Sequence, residues 1–145
     1  MTTNAVDIHF HQENMFEPEI DEKVWGIETI VCRDAHACKI MTLFPSQQVS
    51  LHWHAYKDET FVLIKGELII EIFNQKGERN IIHLTAPLSS ITIKQNTPHT
   101  FYVPNGQEGN TTFIEASTAD FKNDSYRIYP SGAKGKNPIS RGSTD

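Results

Sequence analysis

Ser50-Leu51-His52-Trp53-His54-Ala55-Tyr56-Lys57-Asp58-Glu59, followed by an apolar run that stops at Gly66, sets the terms for the rest of the chain. Two histidines separated by one residue share a face when the backbone is extended, because strand side chains alternate with period two. His52 and His54 therefore stand together on one side of a strand. Glu59 opens the next apolar segment and reaches the same space after a short turn. Two imidazoles and a carboxylate converging on one point suit a borderline divalent cation, with nitrogen and oxygen donors and no thiolate.

His99 is the candidate fourth ligand. It follows Ile91-Thr92-Ile93-Lys94-Gln95-Asn96-Thr97-Pro98, a strand ending in a turn, and opens Thr100-Phe101-Tyr102-Val103. The order His-x-His, four residues, Glu, six residues, Gly, then a later His after a turn resembles the metal-binding motifs of the cupin superfamily. His52, His54, Glu59, Gly66 and His99 fill those positions without a gap. The resemblance implies a small conical β-barrel with the metal inside, reached from one mouth. Ser46 and Asn96 stand where the family carries turn glycines, and Val103 where it often carries Asn. Asparagine tolerates the left-handed conformation, so the second turn is expected to survive.

The 145 residues make one domain with a single core. Thirteen basic against 18 acidic residues give a net charge of −5, and no basic run carries interleaved aromatics, which argues against a nucleic-acid surface. No apolar stretch has the length of a transmembrane helix. The first residues, Met1 to Asp7, lack the basic and apolar segments of a signal peptide, so a cytoplasmic location is expected. Cys32 and Cys38, five residues apart after Arg33-Asp34-Ala35-His36-Ala37, form no CxxC motif and read as buried free thiols on neighbouring strands.

Along the chain, residues 1–22 read as an N-terminal arm or edge strand, 23–130 as an all-β single-domain barrel, and 131–145 as a flexible C-terminal tail. His9 and His11 form a second His-x-His pair, but no carboxylate-to-glycine strand follows it. Strands are expected at 27–32, 38–44, 60–64, 67–73, 79–84, 90–94, 101–103 and 111–116, with a hairpin loop at Asn74-Gln75-Lys76-Gly77-Glu78. Many short strands spaced by turns, with little helical periodicity, imply a sandwich or barrel of the jelly-roll type.

Flanking residues narrow the resemblance. Trp25-Gly26, Ser50-Leu51, Lys57-Asp58-Glu59-Thr60-Phe61, Phe113-Ile114-Glu115-Ala116-Ser117 and Asn123-Asp124-Ser125-Tyr126-Arg127 look like the C-terminal cupin domain of type II mannose-6-phosphate isomerases and like small stand-alone sugar-isomerase cupins. In that family His52 is often Gln, so this chain keeps a fuller ligand set. The resemblance implies a metal-dependent isomerase of a sugar or sugar phosphate, with zinc or manganese favoured and iron, nickel or cobalt admissible. Such chemistry needs a general base near neutral pKa. Glu115 and Glu71 are candidates, although Glu71 alternates with Leu68, Ile70 and Ile72 and is expected on the solvent face. Lys57 and Arg127 are the candidate cations for a phosphate; Arg127 otherwise pairs with Asp120 or Asp124. Trp25 is expected to pack, Trp53 to face outward, and Phe61 and Phe101 to line the barrel near the metal. A ferrous dioxygenase acting on a small organic substrate and a non-catalytic metal-dependent binding module are the two other readings. A homodimer paired through barrel strands is implied by the resemblance.

Overall fold

A computed structural model describes residues 15–135. His9, His11 and the chain after 135 lie outside the described residues. All regular structure within them is β: β1 (Glu19–Lys23), β2 (Gly26–Arg33), β3 (His36–Leu43), β4 (Gln47–Gln48), β5 (Leu51–Trp53), β6 (Glu59–Lys65), β7 (Leu68–Phe73), β8 (Arg79–Leu84), β9 (Ser90–Ile93), β10 (His99–Tyr102), β11 (Thr111–Thr118), β12 (Tyr126–Tyr129) and β13 (Gly132–Ala133). No helix among them is long and apolar enough to cross a membrane.

Two antiparallel sheets face each other. The first runs β1-β2-β3-β11-β6-β9; in the second, β10 pairs with β7, β5 and β4, while β8, β12 and β13 extend it outward. Alternation explains which side chains enter the space between them. Ala37, Lys39, Met41 and Leu43 on β3, and Thr111, Phe113 and Glu115 on β11, are buried, while their neighbours along each strand are more exposed. Phe61, Leu63, Leu68, Ile70, Phe101 and Phe113 are buried together in the core. The charged inward residues Lys39 and Glu115 face each other across β3 and β11.

Gly26 shows how tightly the sheet edge is built. A Cβ there would fall 1.9 Å from the carbonyl oxygen of Thr42 on the paired strand. Because the obstacle is backbone, no rotamer change relieves it. Gly26→Ala is expected to cost about 3 kcal/mol, read as a fall in Tm of roughly 10 °C.

Two expectations need correction. Glu71 lies on the outward phase of β7, as alternation requires, yet it is 0 % exposed. Tyr102 and Arg79 cover it: the phenol donates to its Oε2 at 2.6 Å and the guanidinium to its Oε1 at 3.2 Å. Glu71 is a structural carboxylate on the outer face, away from the space between the sheets. Cys32 and Cys38 are free thiols standing directly opposite each other on β2 and β3, but they are half-buried, because that face of the sheet is only partly covered.

Candidate metal centre

Three strands and one turn bring the ligand set together. His52 on β5 is the direct cross-strand partner of His99 on β10. His54 follows two residues later on the same face, and Glu59 begins β6 in the opposite sheet. The four donor atoms all lie within 4.8 Å of one another, and all four residues are buried. The turn before His99 places Asn96 at φ 62°, and Ser46 ahead of the histidine strand is at φ 67°. Both positions take the left-handed conformation that glycine fills elsewhere, so the substitutions leave the turns in place.

Each imidazole is oriented by the main chain. His52 Nδ1 lies 2.8 Å from the Ser50 carbonyl, His54 Nδ1 2.7 Å from that of Asp124, and His99 Nδ1 2.8 Å from that of Thr97. A carbonyl only accepts, so each Nδ1 is the N–H donor and each neutral ring turns the Nε2 lone pair inward. There acceptor meets acceptor unless a proton or a metal ion lies between them. His99 Nε2 and Glu59 Oε1 are 2.7 Å apart, and His54 Nε2 lies 3.4 Å from the same oxygen. Glu59 Oε1 and His99 Nε2 are both buried without a hydrogen-bond partner. Lone pairs so close together in a buried space fit a metal ion, and the N3O donor set suits a first-row divalent cation.

The shifts of His52 and Glu59 favour the forms that bind a metal, a neutral imidazole and a carboxylate, whereas that of His54 favours its imidazolium while no cation is bound. Burial, then the neighbouring His99, hold the His52 imidazole well below its ordinary pKa, so it stays a neutral ligand. Burial also works against the His54 imidazolium, but the Glu59 carboxylate outweighs it and raises that pKa. Burial would raise Glu59; His99, His54 and Lys57 instead keep it well below the usual carboxylate range.

Beside the cluster opens a cavity of 510 Å³ whose lining includes His52, His54, Trp25, Lys57, Glu115 and Arg127. Phe61 and Phe101 wall the metal end, their ring centres 6.3 and 6.4 Å from that of His99. Lys57 is buried, with its Nζ 3.1 Å from Asp120, 3.4 Å from Glu115 and 3.5 Å from Glu59. Burial lowers its pKa, but the carboxylates of Glu115, Glu59 and Asp120 outweigh that, raise it and keep Lys57 an ammonium. Burial, followed by the Glu59 charge, raises Glu115 to about 7 despite Lys57 and Lys39. Asp120 is held down to about 2: burial opposes the charge, but Lys57 and Lys39 prevail.

Arg127 takes neither of the partners its neighbours suggest. Asp120 is engaged by Arg33, Lys39 and Lys57, and Asp124 accepts the backbone N–H groups of Ala55 and Tyr56. Arg127 pairs across β12 and β5 with His52, which puts it on the cavity side, and it has no ion-pair partner among the described residues. Lys57 is the reverse case: its charge is already matched by carboxylates.

Sequence reasoning missed Lys39, which is buried 2.7 Å from Glu28 and 3.1 Å from Asp120. The signal was present. Ala37, Met41 and Leu43 fix the inward phase of β3, and a lysine on that phase must find carboxylates inside.

No protein-family model matches the chain, and no curated protein is significantly similar to it. Solved structures are similar in fold. The capsular polysaccharide assembling protein CapF from Staphylococcus aureus superposes with a TM-score of 0.69 at 17% identity, over 82% of this chain and 34% of that one. Oxalate decarboxylase from Bacillus subtilis superposes with a TM-score of 0.67 at 18% identity, over 77% of this chain and 30% of that one. The chain thus spans about a third of the length of these neighbours. The likeness establishes architecture alone: the chain has the cupin fold. The buried His52, His54, Glu59 and His99 group inside it could hold a metal ion.

Proposed function

We propose that the protein is a metal-dependent isomerase that interconverts the aldose and ketose forms of a sugar or sugar phosphate. The observation that carries this reading is the buried Lys57–Glu115 pair, 3.4 Å apart, in the cavity that His52 and His54 also line. A divalent ion on His52, His54, Glu59 and His99, zinc or manganese in this reading, would polarise a carbonyl oxygen. Glu115 is a base with a pKa near neutrality, suited to take a proton from the carbon beside that carbonyl and return it to the neighbouring carbon. Lys57 holds its proton throughout and offers an N–H to the oxygen on which negative charge develops. Arg127, free of carboxylate partners among the described residues, meets a phosphate or carboxylate group of the substrate.

The polar lining also supports a hydroxyl-rich substrate, and carbohydrate is the material named for one fold neighbour, the capsular polysaccharide assembling protein. The test is conversion of mannose, lyxose and their phosphates by zinc- or manganese-loaded protein under anaerobic conditions. Turnover without oxygen is the expected result. Oxygen uptake that requires ferrous iron would replace this reading with a dioxygenase, and sugar-induced stabilisation without turnover on any candidate would replace it with a binding module.

The same reading includes a homodimer. The outer face of the first sheet aligns Thr29, Ile40, Ile114 and Val62 in one cross-strand row, with Ile27 and Ile64 beside it. Ile40 and Ile64 are exposed. A flat apolar row of this kind suits pairing with a second copy. Light scattering is expected to return about twice the mass of one chain, and Ile40→Asp with Ile114→Asp to return a monomer. A monomeric wild type would end the idea.

A further inference from the structure

Outside the rim of the metal cavity lies a second, shallower groove of 360 Å³, lined by Tyr56, Phe121, Asn123, Asp124 and Tyr126. Its aromatic side chains are unusually open, with Tyr56 66 %, Phe121 58 % and Tyr126 42 % exposed. Tyr56 and Phe121 meet nearly at right angles, 82° between rings whose centres are 6.2 Å apart, and so form a floor and a wall. Tyr126 is backed by Trp53, stacked on it at 4.3 Å and 16°. The Asp124 carboxylate accepts the N–H of Ala55 and Tyr56, which pins the loop carrying Tyr56 against the one carrying Phe121. The corner is therefore braced from behind and below rather than left to loose surface rings.

Position ties this corner to the cavity. Phe121 and Asp124 border both spaces. On β12 the strand alternation sends Arg127, opposite His52, towards the cavity, and Tyr126, opposite Trp53, towards the groove. A molecule seated in the cavity and extending past Phe121 lies on Tyr56 and Tyr126. Open aromatic faces bind the C–H face of a sugar ring, and Asn123 stands at the edge to hydrogen-bond its hydroxyls.

Resting on the sugar reading above, we propose that the Tyr56–Phe121–Tyr126 corner is a second sugar subsite, so that the preferred substrate is a glycoside whose reducing ring enters the metal cavity and whose next ring stacks outside the rim. The chain's two tryptophans report the two places separately: Trp25 lines the cavity, and Trp53 lies behind Tyr126. The experiment is an NMR titration of zinc-loaded, nitrogen-labelled protein with mannose and with β-1,4-mannobiose, following the two indole N–H signals. Mannose is expected to move Trp25 alone and mannobiose to move both, with mannobiose binding about 3–10-fold tighter. In Tyr56→Ala that advantage disappears, and mannobiose binds no tighter than mannose. If both sugars move Trp25, neither moves Trp53 and Tyr56→Ala changes nothing, the second subsite is wrong and the sugar reading stands. If neither sugar moves Trp25, both fail together. A Trp53 signal that responds to protein dilution and not to mannobiose makes the corner a self-association surface and overturns the proposal.

Discussion

Protein purified without added metal is expected to carry about one divalent ion per chain, and the His52→Ala, His99→Ala double variant essentially none. The expectation rests on the orphaned atoms: Glu59 Oε1 and His99 Nε2 face each other at 2.7 Å with no hydrogen bond between them. Buried four-ligand sites supply on the order of 10–16 kcal/mol, so removing two ligands takes away roughly half. That is a loss on the order of a thousandfold or more in affinity, read as metal content by mass spectrometry after dialysis. Zinc is also expected to raise the Tm of the wild type and leave the variant unmoved, because only the folded wild type binds it. A wild type that is metal-free and takes none up would sink the four-ligand reading.

The second large effect concerns Glu115. Glu115→Gln is expected to lower kcat by about 10²–10⁴-fold while KM stays within a few-fold, since the amide keeps the shape and loses the base. The wild-type rate should climb with pH as Glu115 loses its proton, and this limb should vanish in the variant. Its position also carries a sign. Without metal the carboxyl titrates at about 7, in part because Glu59 repels the second charge. A cation bound at Glu59 offsets that repulsion, so the limb of the loaded protein lies below 7 and the carboxyl titration moves down on adding zinc. A shift upward would contradict the placement of the metal. Stability of the metal-free protein follows the same group. Glu115 is raised on folding, so between its unfolded pKa near 4.5 and about 7 the folded state holds the extra proton. Its contribution is full below that window and is lost as pH rises through it.

The convergence of His52, His54, Glu59 and His99 was legible because period-two alternation and a fixed spacing leave few options. His52 and His54 had to share a face, and the glycine-like turn at Asn96 had to precede His99. Phe61 and Phe101 followed from the same alternation. Lys39 was equally legible, but only once the inward phase of β3 was taken from Ala37 and Met41. Glu71 was not. Its phase was outward, and what buries it is Tyr102 and Arg79, a cover that depends on the pairing of β7 with β10 and β8 rather than on β7 itself. β12 escaped for a related reason. Tyr126, Arg127 and Ile128 are all exposed at a sheet margin, so no alternation marks them, although Arg127 lines the cavity and Tyr126 the groove outside it. Sequence pattern reports burial against a strand's own face, and it is silent where burial comes from a neighbour.

The three histidines have one further consequence. All three are aimed by carbonyl groups of the main chain, at Ser50, Thr97 and Asp124. The Thr97 side chain can therefore be exchanged without turning His99, provided the chain path is kept, whereas the buried Ser50 hydroxyl lies 3.0 Å from His52 Nδ1 and braces that ring a second time. The rim follows the opposite rule, because a single carboxylate, Asp120, anchors Arg33, Lys39 and Lys57 together. A substitution at 97 is thus expected to be mild at the histidine cluster, and one at Asp120 to release three cations at once.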